Sequence, residues 1–306
     1  MQFDKTRIVI RERGMLDVFD LGLQIVREFI RPIAFTLVLG ILPFMLINYF
    51  LCAWMLEPVY SQDYEMEYGW YIFRYMWVIS VVTYIQAPMA MSLLTAFLGQ
   101  AVFVENPRLS DIFKDVYAAW LRLFWCHGIQ RAIVPTIFFL AIMERDSEWQ
   151  GGIDGVLLFF ILFYLWIYRG LRPFISEIIL LEKNPLRTKS RNDVSVGQRS
   201  SALHDPNMGE LFVRGMVTTF VAVCLIWCVY GGLLFMKGVY FNDWSHSRWM
   251  GYFYFPLSLW IVAGYLTVVR FLSYLDLRIR QEGWEVELLL RAEALRMNQK
   301  MASKMI

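Results

Sequence analysis

Three polar residues fall inside or beside long apolar runs of this 306-residue chain: Gln86, Arg131 and Glu177. An ionisable group at membrane depth is costly unless it meets a partner, a substrate or water, so transport chemistry is sought there first. Arg74 is a further such group, expected near an outer rim, whereas Arg131 and Glu177 are expected near the inner rim, where long side chains snorkel to water. Pro43, Asn48, Gln86 and Pro88 fall near the middle of their runs, where they can kink a helix or hydrogen-bond to a neighbouring one without carrying charge. A pump driven by protons or ions ordinarily carries a buried carboxylate, and no residue stands out as one.

Other chemistry is thinly represented. His127, His204 and His246 lie on different expected loops or sides, so they do not suggest a three-ligand metal site, and no cofactor is implied. Cys224 and Cys228 share a helix face but have no histidine or carboxylate neighbour. With Cys52 and Cys126 they fall in apolar stretches, without a CxxC spacing or a disulfide framework. The sequence holds no GxSxG, HExxH, P-loop or GxGxxG pattern, so an enzyme is unsupported. A net charge of +2 without a basic, aromatic-laced cluster gives no reason to expect nucleic acid.

The elements that must position these residues are apolar runs over Ile33–Leu56, Trp70–Leu98, Phe124–Met143, Ile153–Tyr168, Met216–Met236 and Met250–Val269. Most approach the ~20 residues needed to cross a ~30 Å hydrocarbon core. The chain is 58% hydrophobic and 17% aromatic, and its 18% charged residues compare with about 25% in soluble domains. The expected fold is all-α: a polytopic membrane protein whose six transmembrane helices form three hairpins, with interfacial amphipathic helices and the lipid bilayer as its surroundings. The first thirty or so residues are charged and amphipathic, so the first span is expected to double as the insertion signal.

Lys and Arg collect before the first span, after the second, in the longest loop and in the C-terminal tail, whereas Glu57 to Gly69 has Glu57, Asp63, Glu65 and Glu67 and no basic residue. The positive-inside rule then puts both termini in the cytoplasm. The expected organisation is one membrane domain over 1–306. It comprises an interfacial segment over 1–32, hairpins over 33–98, 107–182 and 208–275, a mobile cytoplasmic loop over 183–207 and a cytoplasmic helix over 276–306.

Leu16, Phe19, Leu23, Val26 and Ile30 share one face of a helix leading into Pro32, and Leu109, Ile112, Phe113, Val116 and Trp120 share one before the third span. Asn207 with Glu210 resembles a capping box before the fifth span. Gly231–Gly232 is expected to be a close helix contact. Similar exits follow the even-numbered spans, at Phe97-Leu98-Gly99-Gln100, Phe174-Ile175-Ser176-Glu177 and, more loosely, Phe271-Leu272-Ser273-Tyr274, suggesting internal triplication.

Four stretches carry a family resemblance: Leu16-Asp17 through Arg31-Pro32, Gln86-Ala87-Pro88 to Gln100, Arg172-Pro173-Phe174 through Asn184-Pro185, and Asp276-Leu277-Arg278-Ile279-Arg280-Gln281-Glu282-Gly283 through Leu288. Together they resemble uncharacterised bacterial six-span membrane proteins, common in planctomycete-type bacteria. These are similar to the membrane domain found ahead of some glycerophosphodiester phosphodiesterases. The resemblance implies a helical membrane module without assigned catalysis, with AAA+ ATPase or von Willebrand-type proteins as partners. It carries over no catalytic residue.

The C-terminal segment reads as a solvated helix supported by opposite charges such as Glu287 and Arg291, with Trp284, Leu288 and Leu295 as an apolar edge for partner docking. The function expected first is therefore a non-enzymatic scaffold or assembly module that engages protein partners through its cytoplasmic helices. The alternative is a transporter or channel for a small solute or lipid, using space between the hairpins. A dry, packed bundle centre favours the scaffold and a polar, accessible cavity the alternative.

Overall fold

The computed structural model describes residues 14–57, 68–102, 107–142, 153–188, 193–244 and 248–282, and within them every regular element is a helix. In chain order these are α1 (Met15–Glu28), α2 (Ile30–Cys52), α3 (Tyr68–Ala90), α4 (Ser92–Ala101), α5 (Leu109–Leu123) and α6 (Ile133–Ile142). There follow α7 (Ile153–Leu171), α8 (Ile175–Leu180), α9 (Val196–His204), α10 (Met208–Phe241) and α11 (Phe255–Glu282).

Three helical stretches are long and apolar enough to cross a membrane, Ile30–Leu56, Val196–Phe241 and Met250–Gln281. Two bent pairs, α3 with α4 at 42° and α5 with α6 at 57°, raise the number to five if each is one span. The apolar windows differ in surroundings: 67% of that in α11 is buried, against 22% in α2 and 6% in α10. The first is thus the hub of the bundle, and the other two present Phe35, Leu42, Phe50, Phe220 and Trp227 outward, as helices facing lipid do.

The amphipathic α1 lies against the hub. Val18 and Gly22 are its buried positions, and Tyr265 Oη donates to the Phe19 carbonyl at 3.0 Å, while Leu16 and Leu23 remain exposed. A helix with one face on protein and apolar side chains beyond it suits a membrane interface. The chain turns at Phe29, and Pro32 falls in the first turn of α2, where its missing N–H leaves no bond unmade. Along α5 the buried positions are Ile112, Val116, Ala119 and Leu123. Phe113 and Trp120, expected on the same face, are about half exposed.

The third apolar run is not one straight span. A π turn over Phe124–Ile129 follows α5, Gln130 donates back to Trp125 O, and Ala132 takes φ 62°, so the helix restarts only at Ile133. Arg131 sits in that break.

The expected loop over 183–207 contains α9. Ser195 Oγ accepts from Gln198 N–H and Gln198 Oε1 accepts from Ser195 N–H, a reciprocal cap that starts this helix. Val196, Leu203 and His204 are buried, and His204 Nε2 accepts the Phe174 N–H at 3.3 Å. These few apolar residues dock the segment, so its described part contains a capped helix where the sequence suggested irregular chain. Asn207 makes no side-chain cap, so the capping box lies at Ser195 rather than there.

Gly231 and Gly232 have open space where a side chain would be, because α10 is peripheral at that level, so they make no close helix contact. The close approach is at Gly40, where an added Cβ would strike the Ala90 carbonyl. The three segments expected as span exits share one core: Phe97, Phe174 and Phe271 are buried in one cluster with Leu98, Ile175 and Leu272. Trp284, Leu288 and Leu295 lie outside the described residues.

Candidate functional site

A cavity of about 510 Å³ opens between α3, α7, α10 and α11. Its walls run from Leu211 to Ile226 on α10, which at 1.5 Å per residue is roughly 20 Å. One end is apolar, lined by Trp77, Phe159, Val223 and Leu259, and the other holds four arginines: Arg131, Arg169, Arg214 and Arg270. Phe159, Phe163 and Val223 line it while remaining about half exposed, so the apolar end is not sealed from the surface of the bundle.

Each arginine is fixed by a different local device. Pro88 has no N–H, so the Tyr84 carbonyl one turn earlier in α3 loses its helical donor. Arg169 supplies the missing partner, donating Nη1 to Tyr84 O and Nη2 to Ile85 O, the second at 2.7 Å. Its guanidinium also lies over the Tyr84 ring, 4.3 Å from the centroid. Arg131 is held by the helix break: Nη2 donates to Arg172 O at 2.7 Å and the guanidinium lies 5.3 Å from the Tyr168 ring centroid. Non-helical backbone at such depth is tolerated where it is buried in protein or lines a cavity, as here.

Arg270 Nε donates to Glu177 Oε1 at 2.7 Å. Arg214 belongs to a separate neutral set, 2.8 Å from Glu210 and 3.4 Å from Asp276, both of which Arg280 also meets. Arg131, Arg169 and Arg270, by contrast, line the same cavity, and among the described residues the one carboxylate that pairs with any of them is Glu177, on Arg270. Arg131 Nε, Arg169 Nε, Arg270 Nη2 and Glu177 Oε2 are buried and find no hydrogen-bond partner among the described residues. His127 is buried beside them with Nε2 3.1 Å from Ser176 Oγ.

Arg131 is 1% exposed and Glu177 0% exposed, so neither snorkels to an inner rim; one is held at a helix break and the other by an ion pair within the bundle. Glu177 is also the buried carboxylate that the sequence did not make evident. Gln86 lies apart from the cavity wall, in a reciprocal amide pair with Asn48: each Nδ2 or Nε2 donates to the other's oxygen, at 2.9 and 2.8 Å. The structure thus brings Arg131 and Glu177 together and leaves Gln86 out. Arg74 is buried with its guanidinium 5.1 Å from the Trp54 ring centroid. Among the described residues no group of three His, Cys, Asp or Glu side chains could hold a metal ion.

Arg169, Arg270 and Arg214 did not emerge as site residues from sequence. The first two end apolar runs and read as ordinary positive-inside anchors. The usable signal was Pro88, which creates an orphan carbonyl in an apolar helix and so demands a donor from another one.

No family model, curated protein or solved structure matches the chain.

Proposed function

We propose that this chain is a six-span inner-membrane protein of a bacterium, arranged as three hairpins with both termini cytoplasmic, and that it handles a lipid-like amphiphile. In this arrangement α7, whose apolar part covers Leu158–Leu171, is the remaining span beside the five candidates. One observation carries the functional reading: the cavity is long, apolar for most of its length and basic at one end. Small hydrophilic solutes gain little from such walls, whereas an extended hydrocarbon chain matches both their chemistry and their length. The lipid-handling reading therefore stands ahead of a scaffold, whose proposed docking edge at Trp284, Leu288 and Leu295 lies outside the described residues.

The test is lipid retention. The purified protein should carry co-purifying lipid detectable by native mass spectrometry, and Ala222→Phe, which places a ring on the cavity wall, should remove it while the protein stays folded by circular dichroism. If wild type and Ala222→Phe retain the same lipids at the same occupancy, the cavity is not where an amphiphile binds.

A further inference from the structure

We infer that the arginine end of the cavity is a subsite for an anionic, phosphate-bearing headgroup, with the lipid's chain lying toward Trp77 and Phe159. This rests on the lipid-handling reading and adds the chemical class of the headgroup.

The argument begins with charge. In an apolar bundle each uncompensated charge carries a desolvation cost, and charged groups in such places are usually paired. Arg214 obeys that rule through Glu210 and Asp276. The set of Arg131, Arg169 and Arg270 does not, because Glu177 neutralises one guanidinium and, among the described residues, the other two meet only backbone carbonyls and aromatic rings. A carbonyl dipole and a ring face orient a cation without cancelling its charge. An anion entering the cavity would supply what the protein lacks.

Hydrogen bonding points the same way. Arg131 Nε, Arg169 Nε and Arg270 Nη2 are donors left over after the internal contacts are made. Phosphate oxygens accept several charge-assisted hydrogen bonds at once, and arginine's planar fork suits them. The guanidinium groups are also pre-positioned, by the Tyr84 carbonyl that Pro88 frees and by the break at Arg131, so little side-chain freedom remains to be lost on binding. A zwitterionic headgroup would bring a fourth cation beside these three arginines.

The experiment compares phosphatidylglycerol with phosphatidylcholine of identical chains, added to delipidated full-length protein, with inorganic phosphate as a competitor. The expected result is a preference of about tenfold for the anionic lipid, the scale of one charge-assisted hydrogen bond. Arg131→Gln should reduce that preference and Glu177→Gln should increase it. Damage to the fold would weaken binding in both variants, whereas the charge mechanism moves them in opposite directions, and Ala222→Phe should abolish the preference along with binding. Equal binding of the two lipids would overturn the headgroup assignment and leave the lipid-handling reading standing. Binding of neither lipid would overturn both. Displacement of phosphatidylglycerol by an equal concentration of inorganic phosphate would make the ligand a soluble anion rather than a lipid.

Discussion

At the scale of single residues, the bundle handles buried polarity by reciprocity. Asn48 and Gln86 satisfy each other's amides, so Gln86→Leu should strand Asn48 and destabilise the protein by about 1–3 kcal/mol, the range for a buried polar group left unpaired. Asn48→Leu combined with Gln86→Leu should cost less than the two single changes together, in thermal unfolding of the detergent-solubilised protein. Strict additivity would mean that the pair is not formed. A second cycle probes the cavity wall. Arg169→Gln removes the donor to the Tyr84 carbonyl, but in a Pro88→Ala background the helix regains its own donor at position 88. The arginine substitution should therefore be less damaging there, by a coupling of about 1 kcal/mol. Equal damage in both backgrounds would detach Arg169 from the proline.

At the scale of elements, the long apolar runs of α2, α10 and α11 and the amphipathic faces of α1 and α5 could be read from residue spacing, because burial in lipid or at its surface imposes a strong pattern. The break at Arg131 was missed. Pro135 has no N–H to give the Arg131 carbonyl four residues earlier and so interrupts the helix there, while Ala132 adopts a left-handed conformation that its own type disfavours, held by the surrounding packing. Ala132→Gly should relieve that strain and stabilise the protein by up to about 1 kcal/mol, net of the extra freedom glycine gives the unfolded chain. A clear loss of stability in unfolding measurements would show that the Ala132 methyl group's packing outweighs the backbone. The helix α9 was legible in principle from Ser195 and Gln198, but the polar composition around them pointed to a loop. The arginine cluster was hidden for a different reason: charges at the ends of apolar runs look alike in sequence whether they face water or converge on a shared space.

At the scale of the whole molecule, the proposed six-span arrangement makes a test of sidedness. With Cys224 and Cys228, the exposed thiols, replaced by alanine, single cysteines at Asp63 and His246 should react with an impermeant maleimide from outside intact cells. Cysteines at Arg191 and Lys300 should react only after the membrane is opened. External labelling at Arg191 would refute the arrangement.

The bond from Arg169 to the Tyr84 carbonyl also has a history in time. Its partners are 85 residues apart, so at ~5–20 residues per second roughly 4–17 s of synthesis separate them. In the proposed arrangement the first hairpin sits in the bilayer throughout that interval with a carbonyl that its own helix cannot satisfy. A chain stopped after residue 150 should therefore be cleared by membrane proteases faster than one stopped after residue 182, as pulse-chase labelling would measure. The proline that shapes the cavity wall makes the nascent first hairpin depend on a helix that has yet to be made.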